Sequence, residues 1–489
     1  FHFDLLTAHA VGLDDLGETT MAERTLNYNR KRLLDFEART GRNLLDEEFN
    51  RLTDEALSKL KINTKLQRMD SSFVGSFMKQ MSRLELIAKV LQNFYRDLSE
   101  AEKIRWQSKL GLYIEDEAEH ISYQLKRAEV EEHLEKLGIL LLELHQAYAD
   151  DASVNSLTSY HHVSRILLEQ FNVRMDSGKT TIEVKPAKEI SSASLQNPAD
   201  DTATFREKNG KIYKGDIFNI AETCDPENPV QLITDTSVYP NMVADDVILT
   251  ERIPEIKERT AVKEMITDGN YSGEKSEQAC SKENVVLIPT EVKGRKLSSD
   301  KLSLTEFHFD GNTITACPEG HSPIGTKQCE DGHYIVYFAR EHCAGCSRRT
   351  NCLIRFGKLR CSLIYNDRQV ILSHRRQQLG EEIYHKKCLL RPAIEGTISQ
   401  FKRLMHHGKL PIRNIGRIRN AIVLMAIGIN FRRLLAYFRE NKPGFNVLLP
   451  THILFLMYSV LRRFKTPGIF TMNFKLPVFL KCTNYLFAG

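Results

Sequence analysis

The 489-residue sequence lacks a secretory signal, an internal repeat and an uninterrupted apolar run long enough to span a membrane. Its most apolar stretch, VLLPTHILFLMYSVL near the C-terminus, is interrupted by Pro450 and His452. We therefore expect a soluble or interfacial segment there and no membrane partner. The chain begins FHFDLL without an initiator Met, which indicates a fragment or a missing true start.

The composition excludes a largely disordered chain. Hydrophobic residues make up 42% and charged residues 27%, which is ordinary for a soluble globular protein. The length exceeds one compact core and predicts two or three domains, or one catalytic domain with large insertions. Ten Cys without a secretory context predict a reducing compartment, where clustered Cys bind metal more often than they form disulfides.

The net charge of +5 is small but unevenly distributed. Between residues 391 and 440 ten Lys or Arg (391, 402, 403, 409, 413, 417, 419, 432, 433, 439) stand against two acids (395, 440). This excess predicts a polyanionic partner. The alternative is a solvated helical face without a partner.

Hydrophobic periodicity changes several times along the chain. It predicts helices over 1–62, over 97–172 and from about 376 to 440. The polar run KPAKEISSASLQNPADD predicts an exposed linker, and the runs that follow it predict strands.

Three acids occupy positions that suit a shared site. Asp70 in QRMDSS and Asp268 in MITDGNYSGE each follow a predicted strand, and Glu395 opens a predicted helix. Ligands of open α/β sheets bind beyond the carboxyl ends of strands, so the three side chains could converge. Together they could hold two divalent cations for phosphodiester chemistry.

Each acid also has a simpler interpretation. Asp is a common turn residue at strand ends, and an acid in the first turn of a helix interacts favourably with the helix dipole. Asp235 in LITDTS also ends a predicted strand and is the reserve candidate for the first carboxylate. Asp310 in HFDGNTITA predicts a hairpin turn instead.

The order and surroundings of these acids resemble the DDE transposases of bacterial insertion sequences. The resemblance rests on DGNYSGE around Asp268 and on IEGTISQFKR around Glu395, and LQRMDSSFVGSFMKQMSRLELI around Asp70 resembles the first catalytic strand of the family. Arg391 lies four residues before Glu395 and Lys402 seven after it, as in the family signature. The likeness covers about 60 to 440.

One element of that signature is different, since Cys388 stands where the family usually has Tyr. The resemblance implies an α/β, ribonuclease H-like fold, a mixed sheet flanked by helices. The predicted domains are a helical N-terminal region (1–62), which is the remainder of a DNA-binding or dimerisation region, a catalytic domain (63–440) and a C-terminal extension of unknown role (441–489). Within the catalytic domain we expect a helical insertion (97–172), a linker (183–203) and a small Cys-rich, zinc-ribbon-like insertion (310–361).

The resemblance further implies metal-dependent cleavage at transposon ends and strand transfer to target DNA. Asp70, Asp268 and Glu395 would bind magnesium or manganese. The partners would be double-stranded DNA and a second copy of the chain, in the cytoplasm beside the nucleoid. The predicted DNA-binding residues are Arg391, Lys402, Arg403, Arg413, Arg417 and Arg419. The alternatives are a DNA-binding protein that no longer cuts and a zinc-ribbon adaptor whose acids are structural.

Cysteines cluster between the second and third acids, in CPEGH and in HCAGCSRRTNC. Four thiolates can form a tetrahedral structural zinc site. The first choice of ligands is Cys317, Cys343, Cys346 and Cys352, with Cys329, Cys361, His321 and His342 as alternates. The alternative is a group of free Cys without metal.

Overall fold

The computed structural model describes residues 23–115, 129–176, 179–291, 300–330 and 332–441. The predicted extension 441–489 therefore lies outside the described residues, apart from Asn441. The chain divides into two compact units, one formed by 1–62 with 423–489 and the other by 63–422. All the candidate site residues, from Asp70 to Arg419, lie in the second unit.

Both helices and strands occur throughout the described residues. The helices are α1 (Glu23–Thr40), α2 (Leu44–Lys59), α3 (Arg83–Asp97), α4 (Glu100–Ile114), α5 (Val130–Tyr148), α6 (Ala152–Asn155), α7 (Thr158–Gln170), α8 (Asp245–Thr260), α9 (Glu274–Lys282), α10 (Arg340–Ala344), α11 (Asp367–Leu379), α12 (Glu382–Cys388), α13 (Ala393–Arg403) and α14 (Ile415–Asn441). The strands are β1 (Leu66–Ser76), β2 (Phe171–Asp176), β3 (Lys179–Val184), β4 (Thr204–Lys208), β5 (Lys211–Thr223), β6 (Ile233–Pro240), β7 (Glu264–Thr267), β8 (Val286–Pro289), β9 (His308–Asp310), β10 (Thr313–Ala316), β11 (Gly325–Gln328), β12 (His333–Ala339), β13 (Arg360–Asn366) and β14 (Lys409–Leu410).

The main sheet of the second unit is mixed. Strand β5 lies between β6 and β1 and is antiparallel to both. On the other side of β1, β7 and then β8 run parallel to it. Strand β4 extends the start of β5, and β14 pairs with the end of β1. The curled mixed sheet flanked by helices confirms the predicted α/β class and is compatible with a ribonuclease H-like fold.

The two faces of the sheet carry different helices. Met69 and Ala221, directly opposite each other on β1 and β5, share a core with Leu249 and Ile253 of α8. On the other face, the ring of Phe218 packs against Phe401 of α13, with centroids 5.1 Å apart. Because side chains alternate along a strand, even-numbered residues of β1 and β5 face α13 and odd-numbered residues face α8.

A helical subdomain follows β1. Helices α3, α4, α5 and α7 share one hydrophobic core that includes Phe94, Trp106, Leu141 and Ile166. Its first helix begins at a capping box in which Ser82 accepts a hydrogen bond from the Glu85 amide and the Glu85 carboxylate accepts one from the Ser82 amide. Apolar periodicity and a Ser three residues before a Glu are sequence signals, so this part of the fold is encoded locally.

The prediction of an exposed linker over 183–203 is wrong for its second half. Leu195 is fully buried, and Ser194, Gln196, Asn197 and Asp200 are also buried. The Leu195 amide donates to Glu169, and Asn197 Nδ2 donates to the Lys79 carbonyl at 3.0 Å. Polar composition predicted exposure because it cannot show that these groups find hydrogen-bond partners inside the protein.

The Cys-rich insertion forms small antiparallel sheets. Strands β9 and β10 form a hairpin in which Asp310 pairs with Thr313 and Gly311 has a positive φ of 57°. The predicted hairpin turn at Asp310 is therefore confirmed. Strands β11, β12 and β13 form a three-stranded sheet.

Helix α14 has 27 residues and, among the described helices, is the one long and apolar enough to cross a membrane by length and composition alone. The core helix of a soluble protein meets the same two criteria. Ile418, Ile422, Ala426 and Ile429 of α14 are buried at helical spacing. One apolar face of the helix is therefore buried.

Candidate active site

Asp70 lies within β1, the strand paired on both sides in the centre of the sheet, so the prediction that it follows a strand is wrong. Its side chain is mostly buried and accepts hydrogen bonds from the Ser71 amide (2.9 Å) and from Arg391 Nη2 (2.9 Å). Burial raises the pKa of Asp70 to about 6, the charge of Arg391 opposes that rise, and the charge of Asp268 adds to it. The carboxyl group therefore depends on a neighbouring cation for its charge.

Asp268 follows β7, the parallel neighbour of β1. Its carboxylate accepts hydrogen bonds from the amide and side-chain nitrogens of Asn270 and so caps the 3-10 turn Gly269–Tyr271. Gly269 is required between them, because a Cβ at that position would lie 2.7 Å from the Glu291 carbonyl oxygen. The motif DGN thus fixes one carboxylate at the end of β7, where its charge acts on Asp70 of β1.

Glu395 lies in the first turn of α13, after Pro392. Its Oε1 is 3.1 Å from Arg391 Nη1, and Nη2 of the same guanidinium is 2.9 Å from Asp70 Oδ2. Arg391 therefore bridges Asp70 and Glu395, while Asp268 acts on Asp70 through its charge. Within the described ranges, however, no group of three or more His, Cys, Asp or Glu has metal-binding geometry. The shared metal site thus stays a prediction.

Sequence reasoning did not identify Asp245, the first residue of α8. It is buried and accepts a hydrogen bond from Ser71 Oγ at 2.8 Å. Burial raises its pKa, and the charge of Asp268 adds to this. Asp245 is thus a fourth acid, close enough to Asp70 and Asp268 to interact with their charges. The available signal was an acid that opens a helix soon after a predicted strand, as in NMVADDVIL.

Asp235, the reserve candidate, does not join the acids. It is buried on β6 and accepts from Arg252 Nε at 3.1 Å, so it forms an ion pair between β6 and α8. Its role is structural, because a positive partner explains its burial.

The basic residues near Glu395 differ in their surroundings. Lys402 and Arg403 are exposed at the end of α13, whose buried face consists of Ile394, Thr397, Ile398 and Phe401. Arg413 and Arg417 are also exposed, and Arg419 is partly buried. Arg391 is different, since it is partly buried and paired with the acids. The exposed residues are the ones available to a phosphate backbone.

Cys388, in the position where the signature has Tyr, is partly buried. It packs against a cluster that contains Cys224, Ile266 and Ile288, and burial raises the pKa of its thiol. The side chain at this position therefore serves the packing between α12 and the sheet.

One cavity in the Cys-rich insertion is lined by the four predicted zinc ligands and by both alternate His residues. Burial raises the pKa of Cys343 to about 12, and nearby Cys361, Cys352 and Cys317 add to the rise. The Nδ1 atoms of His321 and His342 are 2.9 Å apart. Cys329 does not line this cavity. The nine cysteines among the described residues are all free.

The predicted cluster therefore exists as a group of neighbours, but among the described residues its side chains do not reach metal-binding geometry. The zinc site and the zinc-ribbon assignment are not confirmed.

The fold and the acids define a class, a mixed α/β protein with carboxylates gathered around Asp70 on the central strand of a sheet compatible with the ribonuclease H-like fold. Residues 316–435 match the family described as transposase DDE domain, which confirms the predicted resemblance to DDE transposases. The match includes the Cys-rich insertion from residue 316 onward, Arg391 and Glu395, but neither Asp70 nor Asp268. It supports a transposase, hence a protein that acts on DNA. Curated proteins and solved structures give no match.

Proposed function

We propose that this chain is a DDE transposase of the insertion-sequence type, which cleaves DNA at transposon ends and transfers the strand to target DNA. The observation that carries the proposal is the bridge formed by Arg391 between Asp70 and Glu395, beside Asp268. It brings the acid of β1 and the acid of α13 to one place, although 325 positions separate them in the sequence.

The three side chains suit magnesium or manganese, which prefer oxygen ligands such as carboxylates. The position of the Arg391 guanidinium between Asp70 and Glu395 supports a site that attracts positive charge. When bound, the ions would activate the attacking oxygen and stabilise the leaving oxygen. Ser71 and Asn270 orient Asp70 and Asp268 by their hydrogen bonds.

The exposed cations next to Glu395 would hold the DNA backbone. Lys402 is two helical turns from Glu395, so both lie on the exposed side of α13. Phosphate contacts of this kind give affinity and position but do not read sequence. Joining two transposon ends calls for at least two copies of the chain, so we propose that it acts as a homodimer during the reaction. We also propose that it acts in the cytoplasm beside the nucleoid.

We also propose one structural zinc ion in the Cys-rich insertion, held by Cys317, Cys343, Cys346 and Cys352. Support comes from the shared cavity, in which several thiols lie close enough to raise the pKa of Cys343. Zinc would remove that mutual repulsion, because it binds the thiolates and favours their deprotonation.

The test of the proposed function is strand transfer with pre-cut transposon-end DNA and magnesium, comparing the native chain with Glu395→Gln. The variant should lose strand transfer and retain DNA binding, because the amide keeps the shape of the side chain but lacks its charge. The matched control is Glu382→Gln, since Glu382 is likewise an exposed acid in the first turn of a helix, paired with Lys386. The control should retain activity. Unchanged strand transfer in Glu395→Gln would refute the assignment.

A second candidate function is a transposase-derived protein that binds DNA without cutting it. Cys388 favours it, because the side chain that the family signature has at this position is replaced by one that packs inward. In the same assay this candidate predicts no strand transfer by the native chain or by either variant, with DNA binding intact in all three.

A further inference from the structure

A buried ion pair lies next to the candidate active site, on the same face of the sheet as Asp70. Arg68 on β1 and Glu222 on β5 are directly opposite each other, and Arg68 Nε donates to Glu222 Oε1 at 2.8 Å. Arg68 is 6% exposed and Glu222 is 0% exposed. Burying two charges is costly and does not by itself stabilise a fold, so such a pair calls for a more specific explanation.

Each partner of the pair makes a second hydrogen bond, and both of these bonds reach the segment that carries Glu395. Arg68 Nη1 donates to the carbonyl oxygen of Leu390 at 2.5 Å, and Thr397 Oγ1 donates to Glu222 Oε2 at 2.8 Å. Leu390 lies five residues before Glu395 and Thr397 two residues after it. The pair therefore holds the chain on both sides of Glu395.

The same pair also fixes the position of α13 relative to Asp70. Arg68 is two residues before Asp70, and alternation along β1 places both side chains on the face that carries α13. The apolar contacts of that face, such as Phe218 with Phe401, are not directional. Charge-assisted hydrogen bonds are directional and shorter, so they define how far along the sheet the helix lies.

We propose that the Arg68–Glu222 pair, with Thr397, is a positioning device that sets helix α13 so that Glu395 meets Arg391 and Asp70. These residues are positioning residues and not metal ligands. The catalytic consequence rests on the proposed function, whereas the anchoring of α13 does not.

The experiment uses Thr397→Val, which removes the hydroxyl from the helix and leaves both charges of the ion pair in place. Thr397→Ser is the conservative variant, because it restores the hydroxyl. Arg252→Lys is the control, since Arg252 pairs with buried Asp235 between β6 and α8. Replacing Arg68 itself is avoided because it would leave Glu222 as an unpaired buried charge.

Two measurements are made on the full chain with pre-cut transposon-end DNA. Hydrogen exchange of the amides of Ala393–Arg403 should become about tenfold faster in Thr397→Val, as expected for the loss of one buried hydrogen bond. The rate constant of strand transfer at saturating DNA should fall by about 10-fold to 100-fold, because small displacements of reacting groups have effects of this size. DNA affinity should not change, and Thr397→Ser should recover both properties.

If the amides of α13 exchange hydrogen in Thr397→Val at the same rate as in the native chain, the proposal is overturned, whatever the activity. A native transfer rate in Thr397→Val, or an equal loss of rate in Arg252→Lys, would overturn the catalytic part. An inactive native chain would instead refute the proposed function, and the exchange data alone would then decide whether the pair anchors α13.

Discussion

Asp216 on β5 offers a quantitative prediction about stability. It is 0% exposed, and among the described residues neither of its carboxyl oxygens has a hydrogen-bond partner. Burial raises the pKa of Asp216 to about 8, and the charge of nearby Asp200 adds to the rise. The group is therefore neutral in the folded protein at pH 7 but ionised in the unfolded chain, whose Asp has a pKa of about 3.9.

The sign follows from proton binding. Because the pKa of Asp216 is higher in the folded state than in the unfolded chain, binding of its proton favours folding. This contribution to the free energy of unfolding is fully present below about pH 4 and is lost as pH rises towards about 8. The loss is about 1.4 kcal/mol per pH unit and reaches about 4 kcal/mol at pH 7. Asp216→Asn, which is neutral in both states, should not show this loss. Its advantage over the native chain should grow by about 3 kcal/mol between pH 5 and pH 7.

The assay is urea unfolding followed by the fluorescence of the single Trp. Trp106 is buried in the unit formed by 63–422, which also contains Asp216. Asp235→Asn is the control, since Asp235 is buried with a positive partner and its replacement should destabilise the protein. A stability difference between Asp216→Asn and the native chain that is constant from pH 5 to pH 7 would refute the reasoning, because it would mean that Asp216 is ionised when folded.

Two further predictions concern the ligands. Purified protein should contain about one zinc per chain, which Cys343→Ser with Cys346→Ser should abolish and Cys329→Ser should not; a folded protein without zinc would contradict the zinc proposal. Replacing exposed Arg413 and Arg417 with Ala should weaken DNA binding and reduce the slope of its salt dependence by up to about 0.9 per lost phosphate contact. Lys386→Ala, on α12, should leave the slope unchanged, and an unchanged slope in the Arg variant would mean that this surface is only solvated.

The sequence predicted those features that have a local signal. Asp268 directly follows β7 as its apolar run predicted, and the Asp-Gly at Asp310 is a hairpin signal that β9 and β10 confirm. The place of Asp70 was predicted wrongly, because the polar residues after it gave no sign that β1 continues to Ser76. The partners of buried polar residues could not be predicted. Arg68 bonds to Glu222 and to Leu390, which are 154 and 322 positions away. A separation of that size leaves no periodic pattern to detect.

The same reason explains the incomplete prediction for Arg391. The resemblance to the family signature placed it among the residues that hold DNA. Its pairing with Asp70 depends on the fold, which brings β1 to the start of α13. Likewise, a polar run such as SLQN has the composition of an exposed linker whether its side chains meet water or protein. Composition measures polarity but not the presence of a partner.

Strand β1 connects these observations. Arg68 and Asp70 face α13, whereas Ser71 donates to Asp245 of α8 on the opposite face. Within four residues the strand therefore contacts the helix that carries Glu395 and the helix that carries the fourth acid. Because Arg68, Asp70 and Ser71 make these contacts from one strand, a shift of either helix changes the surroundings of Asp70. The stretch RMDS thus carries both the buried ion pair and the acid of the site, and it links the helix of Glu395 to the helix of Asp245.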